Sequence, residues 1–178
     1  MKISYGEFPI LAECVLAIGA FDGVHIGHQN VLEKLKYQGN KLGVETVVCT
    51  FDPPPRHYFQ NALILTQLED KLARIHSFGI NHCIVEQFNM IYLQKSANAF
   101  IKDIKQLNPK LIIVGEDFRF GRNRLGDIPL LQSHFLVETI YPVCCKEGKV
   151  ISSTRIRKLL SKGDRKLAAA FLGLDKLV

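Results

Sequence analysis

No apolar run in the chain approaches the ~20 residues that a bilayer-spanning helix needs, and the sequence contains no C-x-x-C pair, no repeat and no low-complexity stretch. These absences argue against a membrane protein, a paired-cysteine metal or redox site, and a solenoid. The amino terminus carries one lysine and then Glu7 and Glu13, without the charge pattern of a secretory signal, so the expected location is the cytoplasm. The five cysteines (Cys14, Cys49, Cys83, Cys144, Cys145) are odd in number, and four sit in strand-like apolar runs, which predicts structural thiols rather than metal ligands. There is also no P-loop and no G-x-G-x-x-G fingerprint, so neither common phosphate-binding signature applies.

What is present suits one globular domain of 178 residues, 47% apolar and 22% charged. The formal net charge of +6 favours an anionic ligand. The basic residues form no single block. Several gather at 119–124 and 155–158, a pattern that favours a phosphate-bearing small molecule over nucleic acid, although charge alone leaves the latter open.

Short β-branched runs alternate with helical patterns, the signature of an α/β fold with a Rossmann-like parallel sheet flanked by helices. Strands are expected at Val15–Ile18, Val44–Phe51, Cys83–Val85, Leu111–Val114 and Val137–Val143. Helices are expected from Gly27 to about Gln38, from a Thr66–Glu69 capping box, and over Ala97–Leu107. Two short helices should close the chain, the first after Ser152-Ser153-Thr154 and the second ending at Gly173. The triplet Pro53-Pro54-Pro55 should stiffen its loop in an extended form.

The richest segment is Gly19-Ala20-Phe21-Asp22-Gly23-Val24-His25-Ile26-Gly27-His28, between a buried strand and the following helix. Glycines let backbone N–H groups approach a phosphate, and a helix N-terminus adds free donors and partial positive charge. Two histidines three apart can face one anion. Asp22 suits either ligand orientation, magnesium binding through water, or a turn-stabilising role. In the segment 117–127, Phe118 and Phe120 offer flat faces to a ring, and Arg119, Arg122 and Arg124 can reach phosphates; equally, a phenylalanine there can fill the core. Gly121 and Gly126 suggest a shaped loop, with Asp127 a helix cap before Pro129. Ser152-Ser153-Thr154 reads both as an ordinary N-cap and as an anion site. His76, His82 and His134 read as structural or solvated, and His57 as a residue beside Arg56 at the pocket.

The H-x-G-H string resembles that of the nucleotidylyltransferase superfamily. The longer GAFDGVHIGHQ is similar to the adenylyltransferase module of bacterial bifunctional riboflavin kinase/FAD synthetases, as are TFDPPPR (50–56), VGEDFRFGRNRLGD (114–127) and ISSTRIR (151–157). The resemblance covers nearly the whole chain. It implies FMN adenylyltransferase activity: ATP and FMN give FAD and pyrophosphate, with Mg2+, by direct in-line transfer and no covalent enzyme intermediate. It implies catalytic roles for His28, His25 and Arg157. ATP contacts would come from Gly19, Phe21, Asp22, Gly23 and Gly27 around the histidines, and from Ser153, Thr154 and Arg157 at the phosphates. Flavin contacts would come from Arg56, His57, Asp117, Phe118, Phe120 and Arg124. Arg155 matches a variable position, and metal ligands are left unassigned.

Two features depart from the family. The four motifs fill residues 1–178 as one adenylyltransferase domain, with the riboflavin kinase domain expected to be absent and FMN supplied by a separate kinase. A stand-alone enzyme and an excised domain both fit. Pro54 stands where the family usually has histidine. Competing readings are an adenylyl- or cytidylyltransferase for another phosphorylated acceptor such as phosphopantetheine, and a non-catalytic flavin-nucleotide binding protein. Neither involves a membrane.

Overall fold

A computed structural model describes residues 1–174; the last four residues of the expected domain, 175–178, lie outside the described residues. Strand β2 (Cys14–Ile18) is buried along its whole length. Cys14, Leu16 and Ile18 join one core while Val15 and Ala17 join the other, so a five-residue apolar run serves both faces of a sheet. Around it are β1 (Lys2–Tyr5), β3 (Glu45–Asp52), β4 (His82–Gln87), β5 (Pro109–Gly115) and β6 (Val137–Ile140). The sheet order is β1-β4-β3-β2-β5-β6 and every pairing is parallel. This is the Rossmann-like α/β architecture expected from the alternating pattern.

Helices α1 (Ile26–Leu42) and α3 (Leu68–Ser77) cover one face through Leu32, Leu35, Leu72 and Ile75. The other face is covered by α5 (Ala97–Gln106), through Phe100, Ile101 and Ile104, and by the short α6 (Ile128–Gln132). Short helices α2 (Pro55–Gln60) and α4 (Met90–Leu93) follow β3 and β4. Helices α7 (Ser153–Ser161) and α8 (Arg165–Leu172) pack together over a separate small core of Ile151, Ile156, Ala168, Phe171 and Leu172.

Four details differ from expectation. Strand β1 was not anticipated: four residues at a sheet edge, mostly exposed, carry little periodic signal, and the strand exists because it pairs with β4. Strand β6 stops at Ile140 rather than Val143, just before Tyr141-Pro142, where proline offers no N–H to a ladder. The Thr66–Glu69 capping box does not form; α3 is capped at Gln67 without a side-chain bond, and the N–H groups of Leu65 and Thr66 turn to the Asp22 carboxylate. The proline triplet does not run on in extended form, because Pro55 opens α2, where its missing N–H costs nothing and its φ is already helical.

Cys14, Cys49 and Cys83 are buried in strands, where burial pushes the thiols of Cys14 and Cys83 up to about 12. Cys144 and Cys145 instead lie in the hairpin beyond β6, closed by a bridge between Cys144 and Val150.

Candidate active site

Strand β2 has β3 on one side and β5 on the other, so the chain winds outward in both directions from it. In open α/β sheets this reversal leaves a crevice beyond the carboxyl ends of the strands. A cleft of about 1220 Å³ lies there. It is lined from β2 by the 19–28 turn, from β3 by Phe51 and Pro54–Arg56, from β5 by Gly115–Arg124, and from the far side by 151–154 and Arg157. Segments as far apart in the chain as Ile18 and Arg157 therefore share one cavity.

Of the residues expected at the site, all line this cleft except Gly23 and His57. Gly23 turns its carbonyl to Arg74, and the His57 ring bonds the Ala62 carbonyl at 2.8 Å. Phe120 is 5% exposed and packs on Phe100 and Phe118 (centroids 5.2 and 5.6 Å), so it is mainly core, with Phe118 the more accessible ring. Gly121, at φ 72°, lies so close to Ala97 that a Cβ would come within 2.6 Å of its backbone nitrogen. Together with the Arg122 N–H to Lys95 carbonyl bond (2.7 Å), this fixes the arginine loop to the start of α5. Arg119 pairs with Asp127, which also caps α6, while Arg122 and Arg124 line the cleft. Arg155 points elsewhere, donating to Cys145 Sγ and the Lys149 and Val150 carbonyls and lying over Phe171.

The two histidines are stacked, with ring centroids 3.7 Å apart at 18°. His25 is the N-cap of α1: its Nδ1 accepts the His28 N–H at 3.4 Å, which assigns the proton of the neutral ring to Nε2. Burial, with the Arg74 charge nearby, pushes His25 down to about 4. Burial likewise holds His28 well below the ordinary histidine range, helped by His25, Lys71 and Arg74. Nδ1 of His28 is buried without a partner among the described residues; an orphaned acceptor is less costly than an orphaned N–H, which favours the Nε2–H tautomer. Two neutral rings, each carrying its proton on Nε2, stand at the head of α1.

Opposite them, α7 begins with Ser152 as N-cap and has no acidic residue in its first turn; α1 has none either. Two helix N-termini therefore meet at the cleft; the third N–H of each is capped, His28 by His25 and Arg155 by the Ser152 hydroxyl, which leaves the earlier main-chain donors of both first turns for an anion. Asp22 clamps this arrangement. One carboxylate oxygen accepts the Leu65 N–H at 2.9 Å, the other Nη2 of Arg157, and its carbonyl accepts the Ser153 hydroxyl at 2.8 Å. Burial pushes the Asp22 carboxyl up, with Arg157 acting against it. Nη1 of Arg56 donates to Thr154 Oγ1 at 2.7 Å, tying α2 to α7.

Sequence reasoning missed an aromatic wall. Phe59, Phe88, Met90 and Tyr92 line the cleft beside Phe51 and Pro54, and Phe59 and Met90 are each 63% exposed. The string Phe88–Tyr92 carries no glycine or charge to mark it, and its rings meet Phe51 and Phe59 only through the fold. Among the described residues there is no cluster of three or more side chains able to hold a metal.

Paired histidines at one helix N-terminus and a hydroxyl-rich second N-terminus, both at the reversal point of a parallel sheet, define a nucleotidyltransferase. Residues 8–155 match the FAD synthetase family, and the chain belongs to it. A relative from Geobacillus thermodenitrificans, named "Putative bifunctional riboflavin kinase/FMN adenylyltransferase", is 50% identical over 159 residues, 89% of each chain. Proteins of Haemophilus influenzae and Escherichia coli K12 named bifunctional riboflavin kinase/FMN adenylyltransferase are both 36% identical, over 92% and 90% of this chain. The chain spans only 56% and 54% of their length. A crystal structure from Streptococcus pneumoniae, titled as a macrolide-efflux protein, superposes with a TM-score of 0.84 at 26% identity, over 97% of this chain and 62% of that one. No helix among the described residues is long and apolar enough to cross a membrane.

Proposed function

We propose that this chain is an FMN adenylyltransferase, moving AMP from ATP to the phosphate of FMN with release of pyrophosphate, and that residues 1–178 form one such unit. The observation that carries the reading is the single cleft in which the histidine turn, the α7 hydroxyls, the arginine loop and an aromatic wall converge. At about 1220 Å³ it exceeds the roughly 300–1,000 Å³ usual for one small ligand and suits two.

The acceptor phosphate oxygen attacks the α-phosphorus in line as the bond to pyrophosphate breaks. The nucleophile is already anionic, so the protein supplies position and charge stabilisation rather than a base. The Nε2–H groups of His25 and His28 donate to oxygens that gain charge, and being neutral they do so without losing a proton. The main-chain N–H groups of Ser153 and Thr154, the Thr154 hydroxyl and the Arg157 guanidinium hold the leaving phosphates, while the Ser153 hydroxyl ties α7 to the Asp22 carbonyl. Arg157 is aimed by Asp22 and by the Leu63 carbonyl, which accepts Nε–H at 2.6 Å. The exposed ring of Phe59 and the half-buried ring of Phe118 supply stacking faces for the flavin, with Arg56 between acceptor and phosphates.

Magnesium fits as a counter-ion that arrives with ATP, since it keeps water and phosphate ligands and needs few from protein. Asp22 has both carboxylate oxygens engaged, so Glu116 and Asp117, the exposed carboxylates of the cleft, would hold it. When bound it neutralises phosphate charge.

The test is incubation with ATP, Mg2+ and FMN, followed by chromatography. FAD and pyrophosphate in equal amounts are expected; no FAD from protein that binds both substrates would overturn the reading.

A further inference from the structure

Arg74 lies on α3, outside every motif read from the sequence. Its guanidinium nevertheless reaches under the histidine turn: Nη1 donates to the Gly23 carbonyl at 2.8 Å, and Nη2 to the Val24 carbonyl at 3.2 Å and to the Leu172 carbonyl. Gln29, on α1, donates through Nε2 to two of the same carbonyls, Val24 at 2.9 Å and Leu172 at 3.1 Å. Three elements thus meet at one guanidinium: the turn that carries the histidines, the helix α3, and the carboxyl end of α8.

Each partner needs this contact. Leu172 is the last residue of α8, where carbonyls lack helical donors and the dipole favours a cation. Gly23 and Val24 are consecutive residues at positive φ, 86° and 36°. The second is β-branched, and a conformation of that kind costs about 1–3 kcal/mol and persists only where its surroundings enforce it. Arg74 and Gln29 are the side chains that hold it. A planar trans peptide also sends the His25 N–H in the direction opposite to the Val24 carbonyl. Fixing that carbonyl on the α3 side therefore sets the orientation of the first main-chain donor of the histidine cap.

The second consequence is longer in range. Helix α8 packs on α7, and α7 carries Ser153, Thr154 and Arg157. Tethering the end of α8 beneath the histidine turn thus fixes how far the two helix N-termini stand from each other across the cleft.

We propose that Arg74 is a positioning residue for adenylyl transfer, bracing the Gly23 and Val24 carbonyls against the end of α8 so that the histidine turn and the α7 phosphate loop keep their working separation. This rests on the adenylyltransferase reading above. The brace acts on the nucleotide half of the cleft; the aromatic wall lies on other elements and does not depend on it.

The experiment compares Arg74→Met, Arg74→Lys and Gln29→Leu with the parent in steady-state FAD formation, per folded molecule, and in calorimetric titration of Mg-ATP. Arg74→Met is expected to lower kcat/KM for ATP about 100-fold, the scale of an ångström-level misplacement, with KM for FMN unchanged. Arg74→Lys, which restores one donor head, should recover part of the loss, and Gln29→Leu should show a smaller loss in the same ATP-specific direction. Because the two side chains share carbonyls, their effects in the double variant should be non-additive. A merely structural arginine would lower Tm and leave kcat/KM of the folded fraction at the parent value, and that result overturns the proposal. If Arg74→Met does not fold, Arg74→Lys and Gln29→Leu decide, and parent-like ATP kinetics in both sinks it. Should the parent form no FAD at all, the activity reading fails separately. The brace then stands or falls on whether the Arg74 variants bind Mg-ATP more weakly than the parent.

Discussion

Asp22 and Arg157 are 135 positions apart in the chain and form a buried ion pair, with side chains 2% and 13% exposed. The pair joins the turn after β2 to the second turn of α7, and it leaves Nη1 of Arg157 without a protein partner among the described residues. Asp22→Ala should therefore destabilise the protein by about 3–5 kcal/mol, the scale for a buried charge that loses its partner. Asp22→Asn keeps an acceptor for the Leu65 N–H but also leaves the guanidinium unpaired, so Tm should fall here too, less than in Asp22→Ala, and KM for ATP should rise in the folded protein. Thermal melts beside ATP kinetics check both. Arg157→Lys should not substitute, because a single ammonium cannot match the planar fork that spans Asp22 and the Leu63 carbonyl.

His28→Ala should keep the fold and lose about 10²–10³ in kcat, the usual effect of removing one oxyanion-type donor. His28 caps nothing and its Nδ1 has no partner among the described residues; losing its ring contacts with His25 and Phe21 should lower Tm without unfolding the protein. Near-parental kcat in folded protein would remove it from the mechanism.

His25 makes stability depend on pH in a known direction. Its folded value of about 4 lies below the ordinary 6.5, so the unfolded chain takes up a proton first. The contribution is fully present above about pH 6.5 and is lost as pH falls towards 4. Melts of the parent and of His25→Gln across this window should converge as the pH drops. Parallel curves would show that the ring is not held neutral.

The aromatic wall should govern the acceptor. Phe59→Ala is expected to raise KM for FMN about tenfold, as one lost ring stack of about 1–3 kcal/mol implies. KM for ATP should not move, since Phe59 stands on the α2 side of the cleft. Equal effects on both substrates would place the flavin elsewhere.

Pro54 caps α2 through its carbonyl, which accepts N–H from His57 at 2.9 Å and Tyr58 at 3.2 Å, and any residue can supply that group. Pro54→Ala should thus barely alter FMN affinity. Pro54→His, whose ring would add a donor at the cleft, should leave affinity unchanged or tighten it by up to about tenfold, roughly 1.4 kcal/mol. Calorimetric titration of FMN into both variants tests this. A large loss in Pro54→Ala would show that the proline itself shapes the acceptor site.

The sequence by itself determined the parallel α/β architecture and the segments that form the cleft. Buried strands such as Cys14–Ile18 are continuous apolar runs, and glycine, histidine and hydroxyl residues at strand-to-helix junctions are local signals. Only the tertiary structure decided what those residues touch. Asp22 could be read as ligand, metal carrier or turn former, and it became the clamp for Arg157 because burial makes an unpaired carboxylate too costly. Phe120 was drawn into the core and His57 to its own helix end, while Phe59 of α2 was brought against Phe88 and Tyr92 from the segment after β4 to form a wall. Arg74 gave no signal at all, since an arginine on an amphipathic helix normally meets water. Its role exists because the carbonyls of Gly23, Val24 and Leu172 converge there, and convergence of distant backbone groups is a property of packing that no local pattern encodes.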